Sequence, residues 1–61
     1  MNRLKELRKQ RRLKQFMLAT MAGINPTYVS LIETGSKNPT DEEKEKIARA
    51  LNVKPAEIWP N

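Results

Sequence analysis

Apolar residues in this chain recur at helical spacing and never alternate with polar ones over a useful length, so the pattern predicts helices and no strands. Leu4 and Leu7 lie three apart in a run of helix formers, which predicts a first helix over about residues 2 to 12. Leu13 follows as a core residue in the connection. A second helix is expected over about residues 15 to 22, Gln-Phe-Met-Leu-Ala-Thr-Met-Ala, stopping at Gly23. Its start is poorly marked, because Lys14 stands where Ser, Thr, Asp or Asn would cap better.

The third helix has stronger boundaries. Asn25 is a favoured N-cap, Pro26 suits a first helical turn, and Gly35 supplies a left-handed stop. The fourth opens on Thr40-Asp41-Glu42-Glu43, a Thr-x-x-Glu capping box, buries Ile47, Ala48 and Leu51, and ends near Asn52. Pro55 starts one short final turn that pins Ile58 and Trp59 to the core. The expected fold is all-α, with four helices and a short fifth.

Sixty-one residues predict one small domain, 1–61, near the lower size limit for a chain with its own core. Cysteine and histidine are absent, which removes disulfides and Cys/His metal sites. Stability must then come from well-formed helices, from dimerisation, or from both. No signal-peptide core and no apolar run of membrane-spanning length occur, so an intracellular, cytoplasmic protein is expected.

Charge changes the picture more. Residues 1 to 15 hold seven basic side chains (Arg3, Lys5, Arg8, Lys9, Arg11, Arg12, Lys14) against Glu6, while the rest carries five basic against six acidic. A basic block beside a nearly neutral body suits a polyanionic partner, nucleic acid or an anionic membrane, and a solvated helix face equally well.

Only Gly23-Ile24-Asn25 joins helices two and three, a spacing that fits a helix-turn-helix whose second helix enters a DNA major groove. On a wheel of about 100° per residue, Val29 and Ile32 share one side of helix three, with Glu33 and Tyr28 at its edges. Thr27, Ser30, Leu31 and Thr34 fill the opposite, uncharged arc. Glu33, the only charged residue of this helix, therefore turns inward and needs a cation. Arg8 borders the stripe formed by Leu4 and Leu7, so an Arg8–Glu33 pair joining helices one and three is expected.

The pattern Leu4-x-x-Leu7-Arg8, Leu13-Lys14-Gln15-x-x-Leu18-Ala19, Gly23-Ile24, Tyr28 to Glu33-x-Gly35, Asn38-Pro39-Thr40 and Ile47-Ala48-x-Ala50-Leu51-x-Val53 covers nearly the whole chain. It resembles the phage repressor/Cro-type (xenobiotic-response-element, XRE) helix-turn-helix family. The resemblance implies a lambda-repressor-like DNA-binding domain with helices 2 and 3 as the helix-turn-helix. It also implies a buried pair at Arg8 and Glu33, and a Gln15 that touches backbone phosphate and braces a recognition side chain. Pro26, Thr27 and Leu31 would face base edges, while Tyr28, Thr34 and the loop around Lys37 and Asn38 would lie near phosphate. Lys14 joins them as a phosphate contact, and Asn25 and Ser30 complete the candidate DNA-binding set.

Some positions depart from that family. Pro26 offers no side-chain hydrogen bond, and Leu31 can touch a thymine methyl but cannot pair with guanine or adenine. Base preference then falls to Thr27, Ser30, apolar contacts and DNA shape. Lys44 stands where the family often has an apolar residue. Phe16, Met17 and Met21 occupy positions commonly polar there; packing against helix one or the C-terminal turn is the expectation, and an exposed partner-binding patch is the alternative.

The function expected is sequence-specific binding of double-stranded DNA by a homodimeric transcriptional regulator, a repressor on a palindromic operator. No catalysis, metal or cofactor is expected, since no acid–base cluster is present. The alternative is a protein-interaction module, an antitoxin or adaptor using Phe16, Met17 and Met21. A weaker third is non-specific RNA or membrane-surface binding through residues 1 to 15. Trp59 and the last turn are candidates for part of the dimer surface, with a plain core position as the other reading.

Overall fold

The computed structural model describes residues 2–60 and contains five helices: α1 (Leu4–Gln10), α2 (Gln15–Ala22), α3 (Pro26–Glu33), α4 (Asp41–Leu51) and α5 (Pro55–Ile58). Each contributes fully buried side chains to one core: Leu4, Leu18, Val29, Ile32, Ile47, Leu51 and Ile58. Leu13, Ile24 and Val53, from the connections, pack against its edge.

Local chemistry sets the boundaries. Thr40 Oγ1 accepts from the Glu43 N–H at 3.1 Å, and Glu43 Oε1 accepts from the Thr40 N–H at 2.9 Å, so two amides that the helix itself leaves free are satisfied together. Asn25 Oδ1 accepts from the Thr27 N–H at 2.8 Å and starts α3. Gly23 ends α2 at φ 70, a left-handed conformation. A Cβ there would meet nothing within 4 Å, so backbone freedom rather than space calls for glycine.

The first helix is shorter than its composition predicts. Arg12 takes a left-handed φ of 56, and the Leu13 N–H returns to the Arg8 carbonyl at 3.2 Å, which closes α1 after Gln10. At its start, Asn2 replaces the expected extra helical residue with a clamp. Its Oδ1 accepts from the Leu4 N–H at 2.9 Å, and its Nδ2 donates to the Ile32 carbonyl at 2.8 Å. The Arg3 N–H also donates to the Ile58 carbonyl at 2.9 Å, so the N-terminal strap ties α1 to α3 and α5. Arg3 meets Glu6 at 3.2 Å on the surface, and its hydrogen bond and charge hold the Glu6 carboxyl below its ordinary pKa and raise that of Arg3.

Three side chains for which packing was expected are exposed instead. Phe16, Met17 and Met21 do not fold against α1 or α5; they are 57%, 41% and 56% exposed. The physical reason is the α2 register. Leu18, Ala19 and Ala22 already fill the inward face, and helix geometry sends positions 16, 17, 20 and 21 to the other side. Trp59 is half-buried against the core edge, and the Lys44 ammonium lies 5.6 Å from its ring centroid.

Candidate nucleic-acid interface

The candidate interface is built on α3, and its orientation is fixed from behind. Val29 and Ile32 are fully buried, which leaves Pro26, Thr27, Leu31 and Thr34 on the exposed side with Ser30 half-buried beside them. None of these carries a charge. The wheel turns Glu33 inward, and in the structure its side chain is only 3% exposed.

Around Glu33 the polar groups close into one network. Arg8 Nε donates to Glu33 Oε2 at 2.5 Å and Arg8 Nη2 to Glu33 Oε1 at 3.3 Å, a two-point contact between guanidinium and carboxylate. Arg8 Nη1 donates to the Leu13 carbonyl at 2.7 Å, in the α1–α2 connection. Gln15 Nε2 donates to Glu33 Oε1 at 3.0 Å. One carboxylate thus fastens α1, the connection, the start of α2 and the end of α3. A buried charge needs this many partners, because water no longer solvates it.

Gln15 therefore braces the buried acid rather than a base-reading side chain. Its amide has two hydrogens, and the bond to Glu33 uses one. Asn25 is similar: Oδ1 caps α3, leaving the amide nitrogen available to an outside acceptor. Thr34 is less free. Its hydroxyl donates to the Leu31 carbonyl at 3.1 Å and sits 3.0 Å from the Ser36 hydroxyl, so it must rotate before it can donate to phosphate.

Lys37 is held in place by an aromatic face. Its ammonium lies 4.6 Å from the Tyr28 ring centroid, which joins the loop after α3 to the start of that helix. Asn38 and Lys14 are exposed on the flanking loop and on the N-cap of α2. Sequence reasoning missed Asn2, which anchors the last turn of α3 through Ile32; an Asn just ahead of a helical run was the available signal.

Short helices joined by a glycine turn, the second exposing an uncharged face between cationic flanks, make a helix-turn-helix geometry. A family model described as helix-turn-helix matches residues 4–58. The chain belongs to the XRE-type helix-turn-helix family. Its lambda-repressor-like fold carries DNA-binding transcription regulation in that family. Among solved structures, the XRE-type chain is similar to the restriction-modification controller protein C.AhdI from Aeromonas hydrophila. The two are 38% identical, with a TM-score of 0.88 over 90% of this chain and 83% of the other. No curated protein sequence matches at a significant level.

Proposed function

We propose that the chain, residues 1–61 acting as one unit, is a cytoplasmic, non-enzymatic repressor that binds a palindromic operator as a homodimer. Two copies of α3 enter successive major grooves about 34 Å apart. Thr27 and Ser30 read base edges by hydrogen bonds, and Pro26 and Leu31 add apolar contacts of the kind a thymine methyl accepts. Lys14, Gln15, Asn25, Tyr28, Thr34, Lys37 and Asn38 set the register on backbone phosphates.

The observation that carries this reading is the withdrawal of Glu33 into the Arg8–Gln15 network, which removes the one negative charge from a helix face that must approach polyphosphate. Likeness to a restriction-modification controller supports a regulatory role. An unbiased duplex selection with the purified protein, followed by a salt series on selected and scrambled duplexes, tests it. Tight binding to the selected sites alone is expected; equal affinity for both duplexes at every salt concentration removes sequence-specific reading.

A second reading, an interaction module, is favoured by the exposure of Phe16, Met17 and Met21 on α2.

A further inference from the structure

The inner face of α2 is satisfied by Leu18, Ala19 and Ala22, yet its outer arc is Phe16, Met17, Thr20 and Met21, three of the four apolar. A helix apolar on every side belongs inside a larger core. Here one side faces solvent, with a phenyl ring and two flexible thioethers that adapt to many shapes. At the C-terminal end of this stripe Met21 shares a concavity of about 530 Å³ with Gly23, Lys46, Arg49 and Ala50, between α2 and α4.

Both ends of the stripe are cationic. Lys14 precedes it, and Lys46 and Arg49 border its far end. Glu42 approaches Lys46 at 3.7 Å in an exposed pair, an arrangement that neutralises little. Arg49 has no side-chain carboxylate within ion-pair distance among the described residues.

We propose that this face of α2, with the concavity beside α4, docks an acidic amphipathic helix of a protein partner. The inference rests on the second reading above and names the partner's chemistry. Apolar side chains of the incoming helix cover Phe16, Met17 and Met21, with one entering the concavity, while its carboxylates meet Lys14, Lys46 and Arg49. A second copy of the chain fits poorly. Antiparallel pairing of two α2 helices sets Lys14 against Lys46 and Arg49, and parallel pairing sets each cation against itself. A flat anionic bilayer leaves the concavity unfilled.

The test uses the full chain and a displayed library of helix-forming peptides with a fixed apolar stripe and a polar face randomised among Glu, Gln and Lys. Selection of Glu-rich members is expected. A selected peptide should shift the amide resonances of Phe16, Met17, Met21, Lys46 and Arg49. Phe16→Gln and Met21→Gln should each weaken it about tenfold, the scale of one lost anchor contact. Both variants should keep the parent melting temperature and duplex binding. Enrichment of Lys or Gln overturns the acidic partner but leaves an interaction surface, whereas no enrichment removes both. Binding to phosphatidylserine-rich vesicles that Phe16→Gln abolishes makes lipid the occupant and overturns the proposal. Self-association abolished by Phe16→Gln does the same in favour of a second copy.

Discussion

At the scale of single residues, the contrast between Arg8 and Trp59 shows how burial treats polar atoms. Arg8 is 7% exposed, and its guanidinium gives hydrogen bonds to two Glu33 oxygens and one carbonyl. Removing it strands a carboxylate that Gln15 alone cannot compensate. Arg8→Ala is expected to lower stability by about 3–5 kcal/mol, measured by urea denaturation. A melting curve indistinguishable from the parent contradicts the network as a structural requirement. Replacing Arg8 and Glu33 together by Met and Leu should cost far less, because no unpaired charge remains. Trp59 Nε1, by contrast, is buried without a partner among the described residues. An orphaned donor of this kind costs about 1–3 kcal/mol. Trp59→Phe discards the donor along with part of the ring, so the two effects oppose each other. The expected change in unfolding free energy is below about 1.5 kcal/mol, against the 3–5 kcal/mol typical of truncating a buried aromatic to Ala.

At the scale of elements, the helices with explicit chemical punctuation were the legible ones. Asn25-Pro26, Gly23 and the Thr40–Glu43 box each name a backbone group and the side chain or φ that satisfies it, and α2 ends and α3 and α4 begin where those residues stand. The end of α1 was not legible, because a left-handed arginine at position 12 has no sequence signature comparable to glycine. The outward face of α2 was not legible either. With apolar residues all round, the wheel gives no preferred side, and only tertiary packing decides which of them meet the core. The network around Glu33 was partly legible. The wheel supplied its direction, but the Leu13 carbonyl and the Gln15 amide depend on how the α1–α2 connection turns. That same connection suggests a trade between stability and binding. Lys14 occupies the N-cap of α2 in an extended conformation, φ −79 and ψ 161, without a capping oxygen to offer. Lys14→Ser is expected to stabilise the fold by about 0.5–1 kcal/mol through a bond to the Phe16 amide, since the Met17 amide already donates to the carbonyl of residue 14. It should also lower the magnitude of the salt slope of duplex binding by about one unit, since one phosphate contact is gone. Stabilisation with an unchanged slope places Lys14 away from the DNA.

At the scale of the whole molecule, the decisive quantity is how little core so short a chain can bury. Eleven hydrophobic residues are buried among those described, and with no cysteine in the sequence no disulfide supplements them. A core of that size supports only a few kcal/mol of stability, so a second copy that binds the folded state but not the unfolded chain would add a substantial share. If dimerisation is coupled to folding, dilution shifts the equilibrium by mass action, whichever surface is used. A tenfold change in protein concentration is worth about 1.4 kcal/mol per dimer. With an unfolding entropy of roughly 2 cal/mol/K per residue over both chains, it moves the thermal midpoint by roughly 5 °C. Calorimetry across a concentration series is expected to show that rise. A midpoint independent of concentration makes the monomer the folding unit, and pairing then has to occur on the operator, where DNA supplies the alignment. The surface used for pairing cannot be the α2 stripe if that stripe takes an acidic helix, so Phe16→Gln should leave the concentration dependence of the midpoint intact.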